Sequence, residues 1–168
     1  MSVPLPASDF HRLSAAEGWL ELNNHLEANL ELESISPEMQ EHPSVLMVKY
    51  QLFAKVQRWD VAFTLAQKLV TLEPDKVEGW VLSAYSARRR EGGGLLPAWN
   101  ILISVVEKFP DEPVVPYNLA CYACQFGRTA AAVELLERVF KMPGGGHYRK
   151  IAREDEDLVL IRREIARL

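Results

Sequence analysis

Cations are nearly missing from the first quarter of this chain: residues 1–42 hold Arg12 against eight acidic side chains, a net −7, leaving +3 for residues 43–168. The N-terminal edge is expected to be acidic and the remainder mildly basic. The total of −4 brings no basic excess or stripe, which argues against a nucleic-acid binder. No stretch reaches the roughly 18 consecutive apolar residues that a membrane helix needs, and no basic segment followed by an apolar run marks a secretory signal. Cysteine is scarce too. Cys121 and Cys124 are the only two, three residues apart on one helical face, where a continuing helix disfavours a disulfide. Together these absences lead us to expect a cytoplasmic protein.

Catalytic and metal-binding patterns are equally thin. Cys121-x-x-Cys124 matches a redox motif in spacing alone, because a disulfide oxidoreductase places that pair at a strand-to-helix junction and here it lies inside an expected helix. We read both thiols as packing or groove-lining groups, since free cysteine behaves as a small apolar residue. His11, His25, His42 and His147 fall in separate segments, with no pair at the i, i+4 spacing of a helical zinc site. Gly92-Gly93-Gly94 and Gly144-Gly145-Gly146 lack the lysine and hydroxyl residue of a phosphate-binding loop and read as turns. The expectation is a non-enzyme with no cofactor and no metal.

What the chain has is apolar residues, 48% of 168, enough to supply the core of one ordinary domain. From Val115 to Phe140 two apolar helical segments flank Gly127. Small residues recur around it at a fixed period. Ala28, Ala62, Ala98 and Ala132 stand 34, 36 and 34 residues apart; Ala16, Tyr50, Ala84 and Ala120 stand 34, 34 and 36 apart. Both ladders place one two-residue insertion in the same unit, at Glu91-Gly92-Gly93-Gly94.

Leu119-Ala120, Ala123, Gly127, Ala132 and Leu136 resemble the helix-turn-helix of a tetratricopeptide repeat (TPR), a supersecondary unit that buries its apolar face only by stacking on its neighbours. Trp80 stands where the family has a tryptophan, and Pro74 and Pro110 where it closes a repeat; Tyr50 departs from the pattern at a small-residue position. The resemblance covers about residues 14–142. It implies an all-α fold, an α-solenoid of about four TPR-like repeats with a C-terminal capping helical segment. Residues 1–8 are expected to be a flexible leader and 9–142 the array, with repeats about 9–42, 43–76, 77–112 and 113–142. Residues 143–168 are then a glycine loop and capping helices.

Local signals suggest boundaries. Ser14-Ala15-Ala16-Glu17 has the capping-box pattern and starts the first helix at Ser14 rather than near Asp9. The second runs from about Leu26 to Ser34, with Leu26, Leu30, Leu32 and Ile35 on an apolar face opposite Glu27, Glu31 and Glu33. Later helices are expected over Ser44 to Val56, Val61 to Leu72 with Asp60 as cap, Leu96 to Lys108, His147 to Arg153 and Asp157 to Arg167. The last of these either covers the exposed end of the array or reaches back into its groove.

In the TPR family the first helix of each repeat lines a concave groove, and ligand contacts come from its second, fifth, ninth, twelfth and thirteenth positions. The resemblance assigns these to Ser44, Met47, Gln51, Ala54 and Lys55, then Glu78, Val81, Tyr85, Arg88 and Arg89. In the fourth repeat they are Val114, Tyr117, Cys121, Cys124 and Gln125, with Asn118 beside them. From these we take Gln51, Lys55, Tyr85, Arg88, Arg89, Tyr117, Asn118 and Cys121 as candidate partner-binding residues. Asparagine can bond both donor and acceptor of a peptide backbone, tyrosine gives rigid contact area with a polar tip, and arginine takes a carboxylate bidentately. The expected ligand is a protein or peptide segment with an acidic or C-terminal carboxylate and an apolar neighbour. Alternatively, Arg88, Arg89 and Arg90 are a solvated run before a glycine turn. Leu13 and Met47 stand where a chaperone-binding carboxylate clamp has its first lysine, which disfavours that role. A further alternative is self-association, the acidic first repeat of one copy meeting the mildly basic remainder of another to form a homo-oligomer.

Overall fold

A computed structural model describes residues 3–168, and the described residues are helical throughout with no strand. They form two compact units, residues 3–93 and 94–168, divided inside the inserted glycine turn.

The first unit contains α1 (Ala7–Glu21), α2 (His25–Glu33), α3 (Pro43–Lys55), α4 (Trp59–Leu72) and α5 (Val77–Arg89), with a short 3-10 helix at Pro37–Met39. The second contains α6 (Leu95–Ile103), α7 (Val114–Gln125), α8 (Thr129–Lys141), α9 (Gly145–Ala152), a 3-10 helix at Glu156–Ile161 and the single turn α10 (Arg162–Ile165). Helices α1 and α2, α3 and α4, and α7 and α8 pack as hairpins.

Both alanine ladders are fully buried, because only a side chain of that size lets two helix backbones approach closely. The exception explains itself. Tyr50 is buried at its small-residue position because its hydroxyl reaches across to donate to the Leu82 carbonyl of α5 at 3.3 Å. That burial pushes the phenol up to about 12, so it stays a protonated donor.

One turn closes all three hairpins. The N–H of Asn24, Arg58 and Arg128 donates to the carbonyl of Trp19, Phe53 and Ala123 at 2.8, 2.8 and 2.9 Å. The residue before each has a positive φ: Asn23 at 56°, Gln57 at 58° and Gly127 at 75°. This is the Schellman closure of a helix C-terminus, which needs one left-handed residue. In the inserted turn Gly93 is required for space, since a Cβ there would lie 2.0 Å from the Ala87 carbonyl oxygen.

Several boundaries differ from expectation. Helix α1 begins at Ala7, not Ser14: Pro6 is the residue that breaks the chain, and nothing between it and Ser14 stops a helix from running through the capping-box pattern. Asp9 in the first turn is buried and accepts from the Ser36 backbone N–H at 3.1 Å and from the Ser36 hydroxyl, tying the start of α1 to the exit of α2. Of the leader expected over residues 1–8, residues 1 and 2 lie outside the described residues; the Val3 carbonyl bonds His42 Nε2 at 2.9 Å, Leu5 packs on the core, and Ala7 and Ser8 already belong to α1.

Helix α2 turns a different face inward. Ala28, Leu32 and Ile35, spaced by 4 and 3, join the core, while Leu26 and Leu30 point out. Helix α4 starts at Trp59, so Asp60 is not its cap but an acid in its first turn, where it favours the helix dipole. Helix α6 ends at Ile103 rather than Lys108: the backbone tightens to a three-residue bond from Val105 N–H to the Leu102 carbonyl, 3.2 Å, and the Ser104 hydroxyl donates to the Ile101 carbonyl at 2.8 Å. The final segment is mostly 3-10, because Asp155 accepts from Asp157 N–H at 2.9 Å and Leu158 N–H donates to the Asp155 carbonyl at 3.1 Å.

Candidate functional site

In the second unit, Tyr117, Cys121, Cys124 and Gln125 fall on one face of α7, at i, i+4, i+7 and i+8. That is the face the TPR resemblance assigns to the groove, and the chain's own residues 155–161 cover it. The Tyr117 hydroxyl donates to Asp155 Oδ2 at 2.7 Å, Cys121 Sγ lies 3.6 Å from the same oxygen, and Gln125 Nε2 donates to the Asp157 carbonyl at 3.0 Å. Leu158, Ile161 and Ile165 are fully buried beneath. Each buried aliphatic side chain contributes about 1.5–3 kcal/mol, so this segment is an integral part of the second unit.

The electrostatics follow from that cover. Burial, helped by the bond to Asp155 and the nearby Cys121, drives the Tyr117 phenol far above its ordinary range. Burial also pushes the Cys124 thiol up, with Asp157 and Asp155 adding to it. Both cysteines are buried and outside any disulfide. Cys121, Asp155 and Asp157 bring one donor atom each within 4.8 Å of one another, but the Asp155 carboxylate is already engaged by the Tyr117 hydroxyl and the Asp157 N–H, which accounts for the cluster as a docking contact. Asn118 turns inward to its own helix, donating to the Val114 carbonyl at 2.8 Å.

The first unit keeps its inner face open. A cavity of about 350 Å³ is lined by Glu17 of α1, Ser44 and Met47 of α3, Leu69 of α4, and Glu78 and Gly79 of α5. Gly79 sits tight against α4, where a Cβ would meet the Val70 nitrogen at 3.0 Å. A second depression, of about 390 Å³, runs on from the shared Glu17 to Glu21, Gln51 and Lys55. Gln51 is exposed. Lys55 is held by the Leu20 carbonyl at 2.8 Å and Asn23 Oδ1 at 3.2 Å, so its charge serves the C-terminal end of α1. Lys76 pairs with Glu73 beside the cavity at 2.8 Å, and its ammonium is raised by that bond.

The other candidates in this unit form an aromatic stack. Arg89 lies over the Tyr85 ring at 3.4 Å and 5.5 Å from the Trp59 ring, donates to the Tyr85 carbonyl at 3.0 Å, and the two rings meet edge to face at 5.7 Å. Arg88 beside it is half-buried. Sequence reasoning missed Glu17, Asp155 and Asp157. Glu17 was reachable, since it stands 34 residues before Gln51 on the same ladder. The two aspartates carry no periodic signal.

No protein-family model matches the chain, and no curated protein is similar to it in sequence. A solved structure is similar in fold: that titled "MamA RS-1 ArsTM double mutant", a TPR-like protein, superposes with a TM-score of 0.66 at 14% identity, covering 79% of this chain and 74% of that one. The fold is a TPR-like helical repeat. Among the described residues no helix is long and apolar enough to cross a membrane.

Proposed function

We propose that this chain is a non-catalytic protein-interaction module, an adaptor or scaffold, which holds a peptide segment of a partner along the inner faces of α1, α3 and α5. One observation carries the reading. The corresponding face of α7 is filled by the chain's own residues 155–161, whereas the face built by Glu17, Met47, Gln51 and Glu78 is open over two adjoining depressions. The filled face also illustrates how such a surface takes a peptide: a phenol on a carboxylate, an amide on a backbone carbonyl, aliphatic side chains buried between.

The wall chemistry selects the ligand. Glu17, Glu73 and Glu78 surround Met47 and Leu69, and the one cation among them, Lys76, is tied to Glu73. A segment bearing lysine or arginine beside an aliphatic residue suits this wall, its stem on Met47 and its charge toward Glu17 and Glu78. The acidic ligand expected from Arg88 and Arg89, with Tyr85, Tyr117 and Asn118 beside them, has less to hold it, because Tyr117 is covered, Asn118 bonds its own helix and Arg89 is stacked on its own aromatic neighbours. The undisulfided thiols of Cys121 and Cys124 suit a cytoplasmic setting.

A peptide array varying charge and apolar content tests the reading, with wild type compared against Glu17→Arg/Glu78→Arg. Preferential binding of basic-aliphatic peptides, lost in the variant, supports it. Equal binding by the variant, or a preference for acidic peptides, would sink it.

A further inference from the structure

Glu17 and Glu21 stand one turn apart on α1, which sets their Cβ atoms about 5–6 Å from each other. Glu17 lines both depressions of the inner face and Glu21 the second. Both are exposed, as is Glu78 on the wall of the first depression, and among the described residues none of these three carboxylates forms an ion pair. The neighbouring cations are committed: Lys76 to Glu73 at 2.8 Å, and Lys55 to the Leu20 carbonyl at 2.8 Å and Asn23 Oδ1 at 3.2 Å. Four glutamates, at 17, 21, 73 and 78, against these two lysines leave the walls of the two depressions at a net −2. The depressions differ in their floors. The first has Met47, Val48 and Leu69 among its acids, whereas the second sets the exposed Gln51 amide with Glu21.

We infer, resting on the groove assignment proposed above, that the peptide held here is extended and carries two cations separated by one residue. The first meets Glu17 with its stem on the apolar floor, and the second meets Glu21. An extended chain rises about 3.3 Å per residue and turns successive side chains to opposite faces. Residues two apart therefore share a face at about 6.6 Å, close to the separation of Glu17 and Glu21. Residues one or three apart face opposite ways, and residues four apart lie about 13 Å from each other, beyond the span of the two acids. A helical peptide would need its cations three or four apart instead, and its backbone groups are already paired. An extended backbone leaves groups for Gln51, whose amide supplies both a donor and an acceptor. Because all these charges are exposed, added salt weakens the selection.

A spacing scan by fluorescence anisotropy tests the pattern. The probes are labelled synthetic peptides with one lysine beside a leucine, alone or with a second lysine one, two, three or four residues from the first, on either side. Wild type is compared with Glu21→Gln, an exposed change whose fold is checked by circular dichroism. On wild type at low salt, the second lysine is expected to raise affinity about two- to fivefold at a separation of two residues, and at no other. Glu21→Gln is expected to abolish that gain and to bind the single-lysine peptide as wild type does. A gain at every spacing, at none, or at three or four, or a gain at two that survives in Glu21→Gln, overturns the two-cation pattern. If the single-lysine peptide still loses its binding to Glu17→Arg/Glu78→Arg in those cases, the groove assignment stands without it. A single-lysine peptide that binds neither protein, or binds regardless of Glu17 and Glu78, overturns both.

Discussion

The Tyr117 hydroxyl donates a 2.7 Å hydrogen bond to the carboxylate of Asp155, 38 residues further along the chain. That carboxylate also accepts from Asp157 N–H, so one side chain both starts the 3-10 turn and fastens it to α7. Tyr117→Phe removes the donor and keeps the ring against Tyr148, whose centroid is 5.0 Å away. A hydrogen bond to a charged acceptor contributes about 1.5–3 kcal/mol, and urea unfolding is expected to show a loss in that range. A loss under about 0.5 kcal/mol, the size of an ordinary surface change, would mean that the phenol does not hold the segment.

The aliphatic side of the same segment separates burial from mere proximity. Ile161 is fully buried and its neighbour Leu160 is largely exposed. Ile161→Ala is expected to cost about 2–5 kcal/mol through lost burial and the cavity left behind, and Leu160→Ala less than about 0.5 kcal/mol. Thermal denaturation of the two variants side by side reads the contrast, and equal effects would contradict the packing described.

Residues 155–161 also show where sequence reasoning reaches its limit. The repeat fold was legible because it is written in periodic small residues: Ala28, Ala62, Ala98 and Ala132 each sit where two helices touch, and every one is buried. Large residues misled. Leu26 and Leu30 read as part of an apolar face opposite the glutamates, yet the helical period that includes Ala28 places Leu32 and Ile35 inward and leaves them outside. Groove positions could be assigned along the ladder, but whether a groove is open is a tertiary fact. Nothing periodic in Asp155-Glu156-Asp157-Leu158 announces that it returns to Tyr117. The start of α1 was missed for a related reason: Asp9 is held by Ser36, a partner that only the folded hairpin supplies.

Asp9 makes stability depend on pH. Its bonds from the Ser36 hydroxyl and N–H, with a smaller contribution from Arg12, hold its carboxyl below the ordinary aspartate value of 3.8. A group whose folded value is depressed stabilises fully above its unfolded value, and that stability disappears as pH falls through the folded one. Urea midpoints measured from pH 6 down to pH 2 should therefore drop across and below the ordinary aspartate range. Asp9→Asn should lower stability at pH 6 and flatten part of that drop. An acid limb of unchanged steepness in the variant would show that Asp9 does not contribute to it.

The three hairpin turns allow a comparison at matched geometry. Gln57 adopts φ 58° and Gly127 φ 75° at equivalent places, but only glycine does so without its Cβ crowding the backbone, a crowding that costs other residues about 1–2 kcal/mol. Gln57 is exposed and points into solvent, so Gln57→Gly gives up little contact. Its backbone has more freedom to lose on folding, which offsets part of the relief and leaves an expected gain of about 0.5–1 kcal/mol. Gly127→Ala is the reverse experiment. Its added Cβ meets no atom within 4 Å, so any loss, expected at about 1 kcal/mol, reports the backbone conformation alone. Opposite signs in urea denaturation would confirm that left-handed closure sets the stability of these turns. If Gln57→Gly destabilised the protein, contacts of the glutamine side chain would outweigh the strain, and the equivalence of the turns would not extend to their energetics.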